Sequence, residues 1–132
     1  MTPTLLSFSL QRGIIICKCI LIHQGQWTIA NSMAIDTCAS YTIIHPEITR
    51  RLKIGLSQSS LSETTGISGT VKFPKIVIQQ IGIQAVNAEN VEVLVGALPS
   101  SLGLQGVLGY SFLKNFDYCV YYQRQEIVLT PI

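Results

Sequence analysis

Short runs of β-branched and apolar residues fill most of the chain, and glycine, proline or asparagine interrupts them at close intervals. Runs of this length and composition favour β-strands, whereas the interrupting residues favour turns. The pattern predicts an all-β fold with antiparallel strands and with turns at 23–26, at Gly82 and at 87–90. We expect strands over residues 5–10, 14–22, 27–35, 41–44, 75–81, 83–88, 91–95, 118–122 and 126–129.

Two short segments carry helix signals instead. Pro46 and Glu47 suit the first turn of a helix, and Arg50 and its basic neighbours suit the last turn. We therefore expect a helix over 46–52 and a second short helix over 110–115. The intervening segments that are rich in serine, threonine and glycine are expected to be loops or hairpins.

Size and composition point to one domain that has a partner. The length of 132 residues suits a single domain, so we expect one domain over residues 1–132. Hydrophobic residues make up 48% of the chain and charged residues only 12%, against roughly a quarter in an average soluble domain. Much apolar surface must therefore be covered, and a subunit interface would cover it.

Charge and hydropathy argue against several kinds of partner. The net charge of +2 is spread along the chain without a basic stripe, so we expect no nucleic-acid binding. The apolar run 13–22 is interrupted by Lys18 and is shorter than the roughly twenty residues that span a membrane as a helix. Residues 1–20 also lack the layout of a secretory signal. We expect a cytoplasmic protein with no membrane partner.

The four cysteines have neither the spacing of a zinc site nor the density of a disulfide scaffold. Cys17 and Cys19 are two apart, so on a strand they would face the same side and pack as small hydrophobic residues. We expect reduced, mostly buried thiols, and neither a metal nor a cofactor.

Two segments, far apart in the sequence, form the most informative motif. They are the loop of Asp36, Thr37, Cys38, Ala39 and Ser40, and the segment of Gly106, Val107, Leu108 and Gly109. The first follows the predicted strand 27–35, and the second precedes the second predicted helix. Their order resembles that of the retropepsin-like, single-lobed aspartic proteases, whose active-site loop reads Asp-Thr-Gly-Ala. The resemblance extends over about residues 20–130 and includes the helix start at Pro46 and the last hairpin.

This resemblance implies a closed, barrel-like all-β fold with one or two short helices and one lobe per chain. It implies that Asp36 is the catalytic residue of a peptide hydrolase, that Thr37 holds the partner loop, and that 106–109 supports the site. Segment 56–69, which composition alone predicts to be a mobile loop or an exposed hairpin, would carry the flap. The substrate would be an extended polypeptide bound beneath that flap. The flap residues would be Thr65, Gly66, Ile67, Ser68 and Gly69.

Peptide hydrolysis by this route needs two carboxylates that share one proton, because one activates a water while the other assists the carbonyl. The chain has only two aspartates, and Asp117 follows the second predicted helix, where we interpret it as a capping or turn residue. The second carboxylate would then be Asp36 of another subunit, which predicts a two-fold homodimer. We expect activity to be highest below pH 7.

Cys38 stands where the family motif has glycine, and it leaves two interpretations open. If the loop needs a backbone angle that glycine alone adopts easily, a cysteine there would be strained. The chain is then either a homodimeric aspartic endopeptidase, with the thiol lining a subsite, or a catalytically silent module that binds peptides or partners.

Other interpretations of the motif are weaker. Asp36 could be a simple turn residue in an unrelated β domain, since an aspartate at a strand end is common. Cys38 as a nucleophile would need a nearby base, but we expect His23 in a turn and His45 at a helix start. A redox role for two Cys38 thiols that meet across a two-fold axis would need favourable geometry.

Overall fold

A computed structural model describes residues 2–57, 59–66 and 69–132. These residues form eleven strands, β1 to β11, and two short helices, α1 (Pro46–Arg51) and α2 (Tyr110–Leu113), with a further 3-10 turn at Ser100–Leu102. The strands are β1 (Thr4–Ser7), β2 (Ser9–Gln11), β3 (Ile14–His23), β4 (Gln26–Ile35), β5 (Thr42–Ile44), β6 (Ser60–Gly66), β7 (Gly69–Ile83), β8 (Val86–Val95), β9 (Gly106–Leu108), β10 (Phe116–Tyr121) and β11 (Glu126–Pro131).

The strands form two sheets, and the larger one closes on itself. Its eight strands have the order β2-β3-β4-β9-β5-β8-β7-β6, and a further pairing of β3 with β7 joins its two halves into a ring. The smaller sheet has the order β1-β11-β10. This closed architecture with one lobe per chain confirms the predicted fold class.

The apolar core lies inside the ring. Cys17, Cys19 and Leu21 of β3 are buried while Lys18 and Ile20 between them are exposed, because successive strand residues point to opposite faces. Both helices contribute to the same core through fully buried residues, Ile48 of α1 and Phe112 of α2. Burial of a side chain of this size stabilises the fold by about 1.5–3 kcal/mol.

Helix α1 begins at Pro46, as its sequence predicts. His45 is the N-cap, and its Nδ1 accepts the Glu47 N–H at 3.0 Å, while Pro46 occupies the first helical position. Arg51 pairs with Glu47 one turn away, although both side chains are substantially exposed. Among the described residues, no helix is long and apolar enough to cross a membrane.

The predicted turns at Gly82 and at 87–90 are wrong. Strand β7 continues through Gly82, the chain turns at Gln84, which has a φ of 52°, and β8 then runs unbroken through 87–90. Gly82 lies opposite Asn87 in the β7–β8 ladder, and a Cβ on this glycine would collide with the Asn87 side-chain oxygen. The glycine therefore leaves room for the Asn87 side chain across the ladder and does not form a turn.

The predicted strand 5–10 is split between the two sheets. Its first part, β1, pairs with β11, whereas β2 pairs with β3. Between them Phe8 is buried, and its N–H donates to the Gln125 carbonyl at 3.0 Å. The chain passes from one sheet to the other at Phe8, so this segment is not one continuous strand.

Segment 56–69 contains strand β6, which pairs antiparallel with the first part of β7. Of the two expected forms, a mobile loop or an exposed hairpin, the structure shows the hairpin. Gly66 and Gly69 form the last pair of its ladder. Ile67 and Ser68, at the predicted flap tip, lie outside the described residues.

The expectation of mostly buried thiols is wrong for two of the four cysteines. All four lie in the described part of the chain and are free, but Cys38 and Cys119 are exposed. Cys19 is fully buried, and its pKa is raised well above the usual value by its hydrogen bond with Cys17 and by burial. Only the inward-facing pair on β3 therefore packs as predicted.

Candidate active site

Strand β4 ends in a tight turn that presents Asp36 to solvent. The Asp36 N–H donates to the Leu108 carbonyl at 3.0 Å, so the first residue of the turn is tied to β9. The Cys38 N–H donates to the Asp36 Oδ1 at 2.9 Å, and the Ala39 N–H lies 3.3 Å from the Asp36 carbonyl oxygen. These bonds fix the direction of an exposed carboxylate, as in an Asx turn.

The second predicted segment lies directly against this turn. Strand β9 runs between β4 and β5, parallel to the first and antiparallel to the second. Val107 pairs with Ala34 and Leu108 pairs with Ile35, and both β9 residues are buried. A Cβ on Gly106 would collide with the Ile43 carbonyl and would lie 2.7 Å from the Met33 sulfur. The fold therefore brings together two segments that are separated by about half of the chain.

Gly109 forms the corner between β9 and α2, and this corner holds the far end of the Asp36 turn. The Tyr110 N–H donates to the Ala39 carbonyl at 2.7 Å. A Cβ on Gly109 would collide with the Tyr41 carbonyl and would lie 2.7 Å from the Ala39 carbonyl oxygen. Ordinary side chains do not fit here, so glycine is required by close backbone approach.

The other residues of the predicted loop are accessible. Thr37, Cys38 and Ser40 are exposed, and Ala39 is half-buried. Cys38 does not have a positive φ, and so its backbone lies outside the region that favours glycine. The strain considered for a cysteine at this position is therefore absent.

An apolar cleft of about 440 Å³ opens beside Asp36. One wall comes from the chain between β8 and β9, which supplies Leu98, Leu102 and Leu104. Sequence reasoning predicted only a loop here and missed this wall. The signal was present in these three leucines, which are unusual in a loop that is otherwise rich in glycine and serine.

Gln105 fixes this leucine-bearing loop to β4. Its N–H donates to the Ser32 carbonyl at 2.9 Å, and its side-chain Oε1 accepts the Asn31 N–H at 2.7 Å. The Ser32 hydroxyl also donates to the Gly103 carbonyl at 3.0 Å. The cleft wall is thus held by the side chains of Gln105 and Ser32, which lie outside the predicted motif.

Asp117 is not placed as the sequence predicted. It lies within β10, opposite Thr130 of β11, and not in a helix cap or turn. Its side chain is exposed on the smaller sheet, whereas Asp36 belongs to the ring. Within the described residues, no cluster of three or more histidine, cysteine, aspartate or glutamate side chains could hold a metal ion.

An aspartate turn supported by a glycine corner, with one such turn per closed lobe, is the arrangement of a retropepsin-like aspartic protease. A family model described as gag-polyprotein putative aspartyl protease matches residues 28–115, which include both segments of the site. The chain belongs to this family. Among curated protein sequences, none matches the chain.

A solved structure supports the same fold. The chain is similar to a retropepsin-like aspartic protease from Rickettsia conorii, with a TM-score of 0.68 and 18% sequence identity. The match covers 97% of this chain and 91% of the other. At this identity the likeness establishes the fold, and the chemistry has to be argued from the residues of the chain itself.

Proposed function

We propose that the protein is a homodimeric aspartic endopeptidase in which each subunit supplies Asp36. The observation that carries the proposal is the exposed Asp36 carboxylate, which the Cys38 N–H orients in the turn at the end of β4. The membership of the chain in an aspartyl protease family supports a catalytic role for this carboxylate. A water held between two such groups is the nucleophile.

The second carboxylate comes from the partner subunit. The chain contains one other aspartate, Asp117, and it lies on the smaller sheet, away from the Asp36 turn. A two-fold axis beside the turn brings two Asp36 side chains together, and two carboxylates this close retain one proton between them. The ionised group takes a proton from water, and the protonated group donates to the carbonyl oxygen of the peptide. Activity is therefore highest below pH 7.

Other predicted residues have roles in binding and assembly. The exposed Thr37 hydroxyl bonds to the partner loop and keeps the two carboxylates in one plane. The β6–β7 hairpin, with Thr65, Gly66 and Gly69 near its end, is the flap that covers an extended polypeptide. The apolar cleft beside Asp36 receives a substrate side chain.

Properties of the whole chain complete the proposal. We assign it one domain over residues 1–132 and a cytoplasmic location. Neither a nucleic acid nor a membrane is part of the proposed function.

A second candidate function follows from Cys38, whose exposed side chain stands where the family motif has glycine. Two added thiols close to the dimer axis could prevent productive seating of the peptide, which would leave a silent module that binds peptides. The backbone of Cys38 favours the first candidate, because it needs no angle reserved for glycine.

The test uses purified protein, an unstructured polypeptide and a series of buffers from about pH 4 to 7. Fragments are followed by mass spectrometry at several protein concentrations. Asp36→Asn removes one acidic group with little change in shape, and Asp117→Asn is the matched control at the other aspartate. We expect cleavage by the wild type and by Asp117→Asn, and none by Asp36→Asn.

Equal cleavage by Asp36→Asn and the wild type would refute the proposal. A wild type that forms dimers but cleaves nothing would favour the binding module, and Cys38→Gly then shows whether the thiol is the block. Gain of cleavage in Cys38→Gly would identify the cysteine as the cause of silence.

A further inference from the structure

We infer that Thr42 and Ser111 are positioning residues that hold the Asp36 turn in its working geometry. Neither residue belongs to the motif, and neither touches the carboxylate. The inference rests on the proposed function for its catalytic consequence, but its structural part can be tested without any cleavage.

The two side chains form a buried hydrogen-bond cluster behind the glycine corner. Thr42 is fully buried and Ser111 nearly so. The Ser111 Oγ accepts the Thr42 N–H at 2.9 Å, lies 3.0 Å from the Thr42 Oγ1 and lies 2.7 Å from the Glu92 carbonyl oxygen. The Thr42 Oγ1 accepts the Gly109 N–H at 3.2 Å. The cluster therefore joins β5, β8, the corner and α2.

Proton counting gives each hydroxyl a defined task. A serine hydroxyl has one proton, and the short contact to the Glu92 carbonyl requires it, since a carbonyl oxygen can only accept. The proton in the contact between the two hydroxyls must then come from Thr42. The Thr42 oxygen is left to accept from Gly109. Every donor of the cluster therefore has an acceptor, and removal of either hydroxyl leaves a buried N–H without one.

The cluster bonds to the Gly109 corner, and the residues on either side of that corner bond to the two ends of the Asp36 turn. Leu108, before the corner, accepts the Asp36 N–H at 3.0 Å. Tyr110, after the corner, donates its N–H to the Ala39 carbonyl at 2.7 Å. A corner that loses the bond to Thr42 is free to move away from the turn, and the direction of the carboxylate changes with it.

A valine at position 42 has nearly the same shape as threonine but no hydroxyl. A serine there keeps the hydroxyl and loses only a methyl group. Thr49 offers a matched control, because it is also buried and its hydroxyl donates to a backbone carbonyl, that of Pro46 at 2.7 Å, but within α1. The comparison of Thr42→Val, Thr42→Ser and Thr49→Val therefore separates the hydroxyl at this site from packing in general.

Amide hydrogen exchange measured by NMR is the first readout. The Asp36 and Tyr110 amides are the informative ones, because neither bonds to Thr42 or Ser111 directly. We expect Thr42→Val to speed their exchange by about tenfold relative to the amides of β11, which report general loosening. Thr42→Ser and Thr49→Val should leave that ratio within about twofold of the wild type.

Hydrolysis is the second readout. We expect Thr42→Val to lower kcat by about tenfold with KM unchanged, because misplacement of the carboxylate affects the reaction more than peptide binding. Thr42→Ser should restore kcat. A wild type without activity would refute the proposed function, and the exchange readout would still decide the positioning role.

The inference is overturned if Thr42→Val leaves the exchange of both amides unchanged relative to β11. It is also overturned if Thr42→Ser exchanges as fast as Thr42→Val, or if Thr49→Val has the same local effect. If Thr42→Val does not fold, Ser111→Ala replaces it and should speed the exchange of the same amides, since the Thr42 hydroxyl that accepts the Gly109 N–H then loses its own partner and is no longer held in place.

Discussion

Gly109→Ala gives a direct test of the packing that supports the Asp36 turn. The new Cβ would collide with the Tyr41 carbonyl and lie 2.7 Å from the Ala39 carbonyl oxygen, whereas ordinary contacts begin at 3.4 Å. Both neighbours are backbone atoms, so they cannot rotate away as the end of a flexible side chain could. To reach ordinary contact, the corner and the turn must separate by about 0.7 Å at the Ala39 oxygen and by more at the Tyr41 carbonyl.

This separation has two costs. Forced overpacking of a filled site costs typically about 1–3 kcal/mol. The 2.7 Å bond from the Tyr110 N–H to the Ala39 carbonyl would also be stretched, and an intramolecular hydrogen bond contributes about 1 kcal/mol. The free energy of unfolding should fall by about 2–4 kcal/mol, which for a chain of this size lowers the Tm by about 6–14 °C.

Thermal unfolding followed by circular dichroism measures this change. Gly55→Ala is the matched control, because a Cβ on Gly55 meets no atom within 4 Å and its φ is not positive. We expect the control to unfold within about 2 °C of the wild type. If Gly109→Ala also unfolds within that margin, the close packing of the corner against the turn does not exist as described.

Two further predictions concern other parts of the fold. A small maleimide should modify Cys38 and Cys119 in the native protein and should reach Cys17 and Cys19 only after unfolding, because the first pair is exposed while the second is buried and the pKa of Cys19 is raised. Mass spectrometry of timed samples counts the labels, and rapid native labelling of Cys19 would contradict the β3 packing. Gly82→Ala should lower the free energy of unfolding by about 1–3 kcal/mol, because its Cβ would meet the Asn87 side chain, and the double variant with Asn87→Ala should recover most of that loss. Urea unfolding of the single and double variants measures the coupling, and strictly additive losses would disprove the contact.

The sequence was sufficient to predict those secondary-structure elements that depend mainly on interactions between neighbouring residues. Helix α1 begins at the predicted residue and ends one residue before the predicted end. Its start could be predicted because it depends on neighbouring residues such as His45 and Pro46. Strands β3, β4 and β5 of the ring were predicted because their apolar runs match the length and composition of strands, whereas β9 and the first part of β7 were not predicted as strands. The turn after β7 was misplaced because Gly82 and Asn87 favour turns, whereas their actual role is to face each other across two strands.

Features that depend on distant partners could not be found in this way. The split of the first predicted strand depends on the pairing of Thr4–Ser7 with β11, at the opposite end of the chain. The motif located the Asp36 turn and its supporting segment. It could not show that the Thr42 hydroxyl accepts from Gly109, because this contact joins residues 67 positions apart and carries no pattern of its own.

A mixing experiment tests the central claim that two subunits share one active site. Wild type and Asp36→Asn are mixed in varied proportions at a fixed total concentration, allowed to exchange subunits, and assayed for cleavage below pH 7. If each site needs Asp36 from both subunits, activity follows the square of the wild-type fraction, so an equal mixture retains about a quarter of it. Activity that falls in direct proportion to the wild-type fraction would mean that one subunit is sufficient, and it would contradict the account.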